Sequence, residues 1–283
     1  MATHDARGLR QEGDQVDRGE GDQSDQGVAR AARSEDGAAG NARDAYERVS
    51  VVIPAHNEAG YIEAALASVI AQDYPLERLE CVVVDNASTD GTARVAQAFA
   101  ARHDGLCVRV VTEPSLGVSR AKNRGARHAT GAILIFLDAD SIMALSLTRD
   151  IVGRYHAGAP AGSIRVVADS DSRLERGFFD LVELGARLFG IRSQMFYCDR
   201  ALFLALDGFD ESLRLAEDLE LLRRVKARLR RKGSGRICHI RSSVIATSPR
   251  RLRARPYHLS LVAVFARWAL AFAGVGRKRE YGM

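Results

Sequence analysis

Four short apolar runs, separated by stretches of helical periodicity, constrain this chain more than any other feature. Val49-Ser50-Val51-Val52-Ile53-Pro54 is β-branched and stops at a proline, which predicts a buried strand followed by a loop. From Glu58 to Gln72, Ile62, Leu66, Val69 and Ile70 recur at helical spacing, and Leu79-Glu80-Cys81-Val82-Val83-Val84 then forms a second strand ending at Asp85. The same alternation continues with a helix over Thr89 to Arg102, a strand over Val108 to Thr112, a helix over Ser119 to Ala129 and a strand over Ile133 to Leu137. Strands that are apolar on both faces must be covered on both, so the pattern predicts an α/β fold: a mainly parallel central sheet with helices on both faces. Ligands of such sheets bind beyond the carboxyl ends of the strands, where this chain places Pro54-Ala55-His56-Asn57-Glu58, Asp85-Asn86 and Asp138-Ala139-Asp140.

Residues 1–47 contain almost no large apolar side chains and are rich in Gly, Asp, Gln, Arg and Ala, so ordering them has no compensating burial, and a disordered tail is expected. Charge is polarised along the chain. The first 48 residues carry 11 acidic and 7 basic side chains, whereas from Lys226 onward 15 Lys and Arg face one acidic residue, Glu280. That basic density attracts lipid headgroups, phosphate or nucleic acid. Cys81, Cys107, Cys198 and Cys238 lack CxxC spacing and read as reduced structural residues of a cytoplasmic protein, and the amino terminus lacks the pattern of a signal peptide.

Asp138 and Asp140 follow a strand two residues apart, so a turn can bring both carboxylates to one place; oxygen donors of this kind suit Mg²⁺ or Mn²⁺. The same pair also fits two solvated turn residues. No GxGxxG or GxxxxGK[ST] loop follows the first strand, which argues against dinucleotide-binding and ATPase functions. Glu217, Asp218 and Glu220 open a helix running through Leu219 to Arg228, where acids favour the positive helix end whatever else they do.

Six blocks in order carry a resemblance. They are Val51-Val52-Ile53-Pro54-Ala55-His56-Asn57-Glu58; Val83-Val84-Asp85-Asn86-Ala87-Ser88-Thr89-Asp90-Gly91-Thr92; Gly117-Val118-Ser119-Arg120-Ala121-Lys122-Asn123-Arg124-Gly125; Phe136-Leu137-Asp138-Ala139-Asp140; Gly208-Phe209-Asp210-Glu211; and Glu217-Asp218. Over roughly residues 49–250 the chain resembles glycosyltransferase family 2, inverting nucleotide-sugar enzymes of the GT-A fold. The resemblance implies a GT-A domain over 48–250. It also implies Pro54, Glu58 and Asp85 around the nucleotide base and ribose, Asp138 near the ribose, and Asp140 on a Mn²⁺ or Mg²⁺ ion. Asp218 matches the catalytic base that deprotonates the acceptor hydroxyl. Lys122 stands where Arg is common in the family; it faces the diphosphate or is a charge on a helix surface. Asp207 replaces a usual glycine, and Ser248-Pro249-Arg250-Arg251 resembles a basic motif that places Arg250 or Arg251 on diphosphate or an anionic acceptor. His239 and His258 lie where some GT-A enzymes recruit a further metal ligand, but a lone His is more often structural.

Residues 251–283 form a basic, hydrophobic segment in which 18 residues, Leu259 to Gly276, are interrupted by Arg267. A charge at mid-membrane costs about 2.5–3.5 kcal/mol, so a helix lying in the membrane interface is expected over core packing or a true span. The implied activity is metal-dependent transfer of a sugar from a nucleoside diphosphate sugar to an acceptor hydroxyl, lipid-linked or close to an anionic membrane at the inner face of the cell. No nucleic acid partner is expected on that reading. The alternative is a catalytically silent GT-A-like protein that docks on anionic lipid or nucleic acid.

Overall fold

The computed structural model describes residues 46–188, 195–213, 217–233, 235–250 and 266. The expected amino-terminal tail, the hydrophobic carboxyl-terminal helix, Arg251 and His258 lie outside the described residues, apart from Tyr46, Glu47 and Ala266. Eight strands are described: β1 (Val49–Ala55), β2 (Leu79–Asn86), β3 (Cys107–Glu113), β4 (Ile133–Phe136), β5 (Ser141–Met143), β6 (Ala161–Ala168), β7 (Met195–Asp199) and β8 (Ile237–Thr247). The α-helices are α1 (Ile62–Ile70), α2 (Thr92–Arg102), α3 (Val118–His128), α4 (Leu147–His156), α5 (Arg173–Leu188), α6 (Arg200–Leu204) and α7 (Glu217–Lys232).

The strands form one sheet in the order β3-β2-β1-β4-β7-β6-β8-β5. The pairs β1–β2, β1–β4, β2–β3 and β6–β8 are parallel, whereas β4–β7, β6–β7 and β5–β8 are antiparallel. The first four strands follow the predicted parallel winding. The strand order reverses between β1 and β4, the kind of switch point beyond whose carboxyl ends such sheets bind ligands.

Both faces are covered because alternate residues of the central strands are apolar in both directions. Val51, Ile53, Cys81 and Val83 pack with Ile62, Leu66 and Val69 of α1, Phe99 of α2 and Leu147 and Ile151 of α4. Val52, Val82 and Val84 point the other way, against Ala121 and Ala126 of α3, Phe203 of α6 and Leu221, Val225 and Leu229 of α7. Each fully buried Val, Leu, Ile or Phe contributes about 1.5–3 kcal/mol, so the two layers hold the sheet from both sides. On the α3 side the fit is tight. A Cβ at Gly125 would come within 2.3 Å of Val52 Cγ1, so this position admits no side chain.

Several boundaries differ from those the periodicity predicts. The first helix starts at Ile62 rather than Glu58, because the backbone amides of Glu58 and Ala59 are drawn to Thr92 Oγ1 (2.8 Å) and Asp90 Oδ2 (3.0 Å). The second starts at Thr92 rather than Thr89, where Asp90 Oδ1 accepts from Thr92 N at 3.0 Å. The acidic helix is longer than expected, from Glu217 through Lys232.

Candidate active site at the strand-order reversal

Loops leaving β1 and β2 are stitched together before either reaches its helix. His56 Nδ1 lies 2.7 Å from the Asn86 carbonyl, and the Asn57 amide donates to Ser88 Oγ (3.0 Å). Asn57 Oδ1 accepts from Thr89 N (2.8 Å). This places Asn57 and Ala87 in the left-handed region, at φ 55 and 56°. Asn86 extends the network by donating to the carbonyls of Glu113 and Ser115 and accepting from Gly117 N, so the β3–α3 loop is fixed as well. Pro54 pairs in register with Val84, and Asp85 sits at the adjacent strand end.

Two buried carboxylates at this edge keep an unpartnered oxygen, Asp85 Oδ1 and Glu58 Oε2. Leaving a buried acceptor unsatisfied costs about 1–3 kcal/mol, so a ligand supplying donors here recovers that cost.

The remaining charged residues form two groups. In the first, Lys122 of α3 is buried; its Nζ lies 3.0 Å from Asp218 Oδ1, 3.3 Å from Glu217 Oε1 and 4.9 Å from the centre of the Phe209 ring. An ammonium buried without a partner would cost several kcal/mol, and the carboxylates remove that cost. Burial lowers the Lys122 pKa, but Asp218, Glu217 and Asp138 together outweigh it and raise it above the usual lysine value. Of the two readings of Lys122, the alternative of a helix-surface charge does not hold, because the side chain is buried with Ala121 and Gly125. Burial pushes Asp218 up to about 6; Lys122 opposes this, while Glu217 and Asp138 add to it.

The second group lies around Arg250, three residues beyond the end of β8. Its Nη2 donates to Glu58 Oε1 and lies 3.0 Å from Asp140 Oδ2, with the guanidinium 4.4 Å from the Tyr61 ring centre. Asp140 Oδ1 is approached by Thr247 Oγ1 (3.4 Å) and Ser141 Oγ (3.5 Å). Of the sequence-predicted residues, the structure joins Glu58, Asp140 and Arg250 directly, groups Lys122 with Asp218, and leaves Asp138 close enough to act electrostatically on both members of that pair.

Among the described residues, no three His, Cys, Asp or Glu side chains are grouped to hold a metal ion. Asp140 offers hard carboxylate oxygens, which fits Mg²⁺ or Mn²⁺ when most remaining ligands come from a diphosphate and water. His239 is engaged elsewhere, with its ring nitrogens 2.9 Å from Ser163 Oγ and 3.1 Å from Glu183 Oε1.

The turn at residues 206–209 shows what the Asp for Gly exchange does. Asp207 adopts φ 58° and Gly208 φ 65°, so the aspartate takes the left-handed conformation in place of a glycine. Arg224 of α7 holds this turn by donating to the Leu206 and Gly208 carbonyls while pairing with Glu220 at 2.6 Å. Asn123 locks the next residue from the other side, bonding both Phe209 N and Phe209 O at 2.8 Å. A Cβ at Gly208 would fall 2.4 Å from Asn123 Oδ1. The roles of Tyr61, Asn123, Phe209 and Arg224 were not visible in the sequence. The spacing of Glu220 and Arg224 at i, i+4 was the one local signal available.

A family model described as glycosyl transferase family 2 matches residues 50–209. Glycosyltransferase AglE of Haloferax volcanii is 44% identical over 92 residues, 32% of this chain and 30% of that protein. The probable glycosyltransferase YdaM of Bacillus subtilis is 30% identical over 195 residues, 63% of this chain and 46% of that protein. The chain thus spans less than half the length of these two relatives. Among solved structures, the mannosyltransferase PcManGT from Pyrobaculum calidifontis, in complex with GDP-Man and Mn²⁺, superposes with a TM-score of 0.58 at 28% identity, covering 72% of this chain and 57% of that one. Glucosyl-3-phosphoglycerate synthase from Mycobacterium tuberculosis has the same fold at 22% identity, with a TM-score of 0.54 and coverage of 84% and 82%.

Proposed function

Because the chain belongs to glycosyl transferase family 2 and has the GT-A fold, we propose that it is an inverting glycosyltransferase acting on a nucleoside diphosphate sugar. The observation that carries this reading is the position of Asp218: a largely buried carboxylate at the start of α7, paired with Lys122 at 3.0 Å and electrostatically coupled to Asp138. Asp218 removes the proton of the acceptor hydroxyl. The acceptor oxygen then bonds to the anomeric carbon as the bond to the diphosphate breaks on the opposite face, which inverts the configuration. A general base works best with a pKa near the operating pH, and about 6 is closer to that than an ordinary aspartate.

Pro54, Glu58 and Asp85 receive base and ribose in this proposal, with the orphaned oxygens of Glu58 and Asp85 accepting from ligand hydroxyl or N–H groups. Asp138 lies beside the ribose. Asp140 holds Mn²⁺ or Mg²⁺, which when bound neutralises charge on the leaving diphosphate. Lys122 and Arg250 supply further positive charge along the same edge.

For the acceptor we favour a lipid-linked or membrane-proximal hydroxyl, with the protein peripheral on the inner face of the membrane. Helix α5 joins the site-edge end of β6 to the site-edge start of β7, and it exposes Leu174, Leu181 and Leu184 at 60, 45 and 48%. Exposed leucines in a chain whose carboxyl-terminal sequence is strongly basic fit an apolar surface with anionic headgroups. Among the described residues no helix is long and apolar enough to cross a membrane.

A thermal-shift panel of UDP, GDP, CDP, TDP and their sugars, with Mn²⁺ or Mg²⁺, tests the donor site. A ligand at about 100 times its Kd adds roughly 2.7 kcal/mol of stability. Metal-dependent stabilisation by one nucleotide is expected, and Asp140→Ala should abolish its metal dependence. A folded protein that responds to none of them would favour the silent docking protein instead.

A further inference from the structure

The carboxylate offered to a metal ion is already occupied by a side chain. Arg250 bridges Glu58 and Asp140, and its flat guanidinium covers the Tyr61 ring. The sheet itself delivers it there. Thr247 pairs with Ser141 in the β5–β8 ladder and Ser248 N donates to the Asp140 carbonyl at 3.0 Å, so the chain leaves β8 alongside Asp140. With its side chain 29% exposed, the guanidinium retains access to solvent and room to leave. A divalent cation on Asp140 and a guanidinium on the same largely buried carboxylate repel each other. The oxygens of a diphosphate can accept from both arms of a guanidinium, in place of the Glu58 and Asp140 oxygens that Nη2 alone now contacts.

We propose that Arg250 is a competing cation for Asp140. In the donor-free protein it holds the carboxylate and keeps divalent metal weakly bound. A nucleoside diphosphate draws the guanidinium onto its own oxygens and frees Asp140, so metal and nucleotide bind as a pair, each strengthening the other by the same factor. On this reading Asp140 holds the ion firmly only when the diphosphate is also present. Metal-first binding is thereby suppressed. This rests on the assignment of Asp140 as the metal ligand made above.

The test is Mn²⁺ binding, followed by the electron paramagnetic resonance signal of free Mn²⁺, with and without each of UDP, GDP, CDP and TDP. Wild-type protein is expected to bind Mn²⁺ weakly alone and about tenfold or more tightly with the matching nucleotide, within the usual range of coupling between sites. Arg250→Ala should bind Mn²⁺ more tightly than wild type in the absence of nucleotide and lose most of the coupling. Glu58→Gln, which removes one of the two charged anchors and leaves Arg250 in place, should weaken nucleotide-free Mn²⁺ binding below wild type, the opposite direction to Arg250→Ala, since the guanidinium then rests more heavily on Asp140. It also serves if the first variant fails to fold. If wild type shows coupling and Arg250→Ala retains it, with nucleotide-free affinity equal to or below wild type, Arg250 is not a competitor and only this proposal falls. If wild type binds no Mn²⁺ even with all four nucleotides, the assignment of Asp140 fails and takes the proposal with it.

Discussion

Strand β2 carries a buried carboxylate near each end, and the two are treated in opposite ways. Glu80, at the amino end and 7% exposed, accepts from Ser50 Oγ (2.5 Å), Thr130 Oγ1 (3.0 Å), Gly131 N (3.2 Å) and Thr130 N. Asp85, at the carboxyl end and 9% exposed, keeps Oδ1 without a partner. Burial, residue class and strand are shared, so these do not separate a structural acid from a functional one. Satisfaction does. The Glu80 end closes the β1–β2–β4 junction with hydrogen bonds, whereas the Asp85 end keeps a buried acceptor oxygen unsatisfied. Asp218 belongs with Asp85: its charge is raised in energy by burial and by Glu217, then held by a single lysine.

The contrast is broken or sharpened by substitutions on either side. The largest effect is expected at Asp218. Asp218→Asn should lower kcat by about 10²–10⁴-fold with nucleotide affinity nearly unchanged, as read by steady-state kinetics and calorimetry; equal loss of both would remove it from the role of base. Next, Glu80→Ala strands Ser50 and the amides of Thr130 and Gly131, and should cost about 2–4 kcal/mol in urea unfolding while leaving nucleotide affinity intact. Asp85→Asn should reverse that pattern, changing stability by about 1 kcal/mol or less while weakening nucleotide binding. A large stability loss at Asp85 would dissolve the distinction between the two ends.

The smallest effect is in pH dependence, and the two acids have opposite signs. For Glu80, burial raises the pKa but the hydrogen bonds outweigh it, so the folded value lies below 4.5; its contribution is present above that pH and lost as pH falls through the folded value. Asp218, raised from 3.8 to about 6, binds its proton more tightly when folded, so stability falls as pH rises between those values. Urea midpoints across pH 3–7 should therefore lose part of their acid-side rise in Glu80→Gln and part of their fall below about pH 6 in Asp218→Asn.

How much of this was legible in the sequence follows from what each feature depends on. Strands β1 to β4 and the helices between them were readable because continuous apolar runs and helical spacing are local signals. The helix starts at Ile62 and Thr92 were misjudged because Thr92 and Asp90 capture amides from a segment more than 30 residues earlier. The motif acids were legible one by one. Their division into a Lys122 group and an Arg250 group was not, because Lys122 meets Asp218 across 96 residues and Arg250 meets Glu58 across 192. Strands β5 to β8 were not read from the sequence: helices still separate them, but their mixed pairing, antiparallel for β4–β7, β6–β7 and β5–β8 and parallel for β6–β8, is set by long-range contacts that strand–helix alternation does not encode.

Strand β8 has a consequence for the order of assembly during synthesis. Asp140 leaves the ribosome more than 100 residues before Thr247 and Arg250, the groups that surround it in the finished sheet. The nascent chain can settle β1 to β4 around their helices early, as amino-terminal portions commonly do. Until the last described strand inserts between β6 and β5, however, Glu58 and Asp140 lack the guanidinium that balances them. A polypeptide ending at Phe209, where the family match ends, would hold most of the motif acids yet lack both β8 and α7. The surroundings of Asp140 and Glu58 are thus completed only after β8 and Arg250 have emerged.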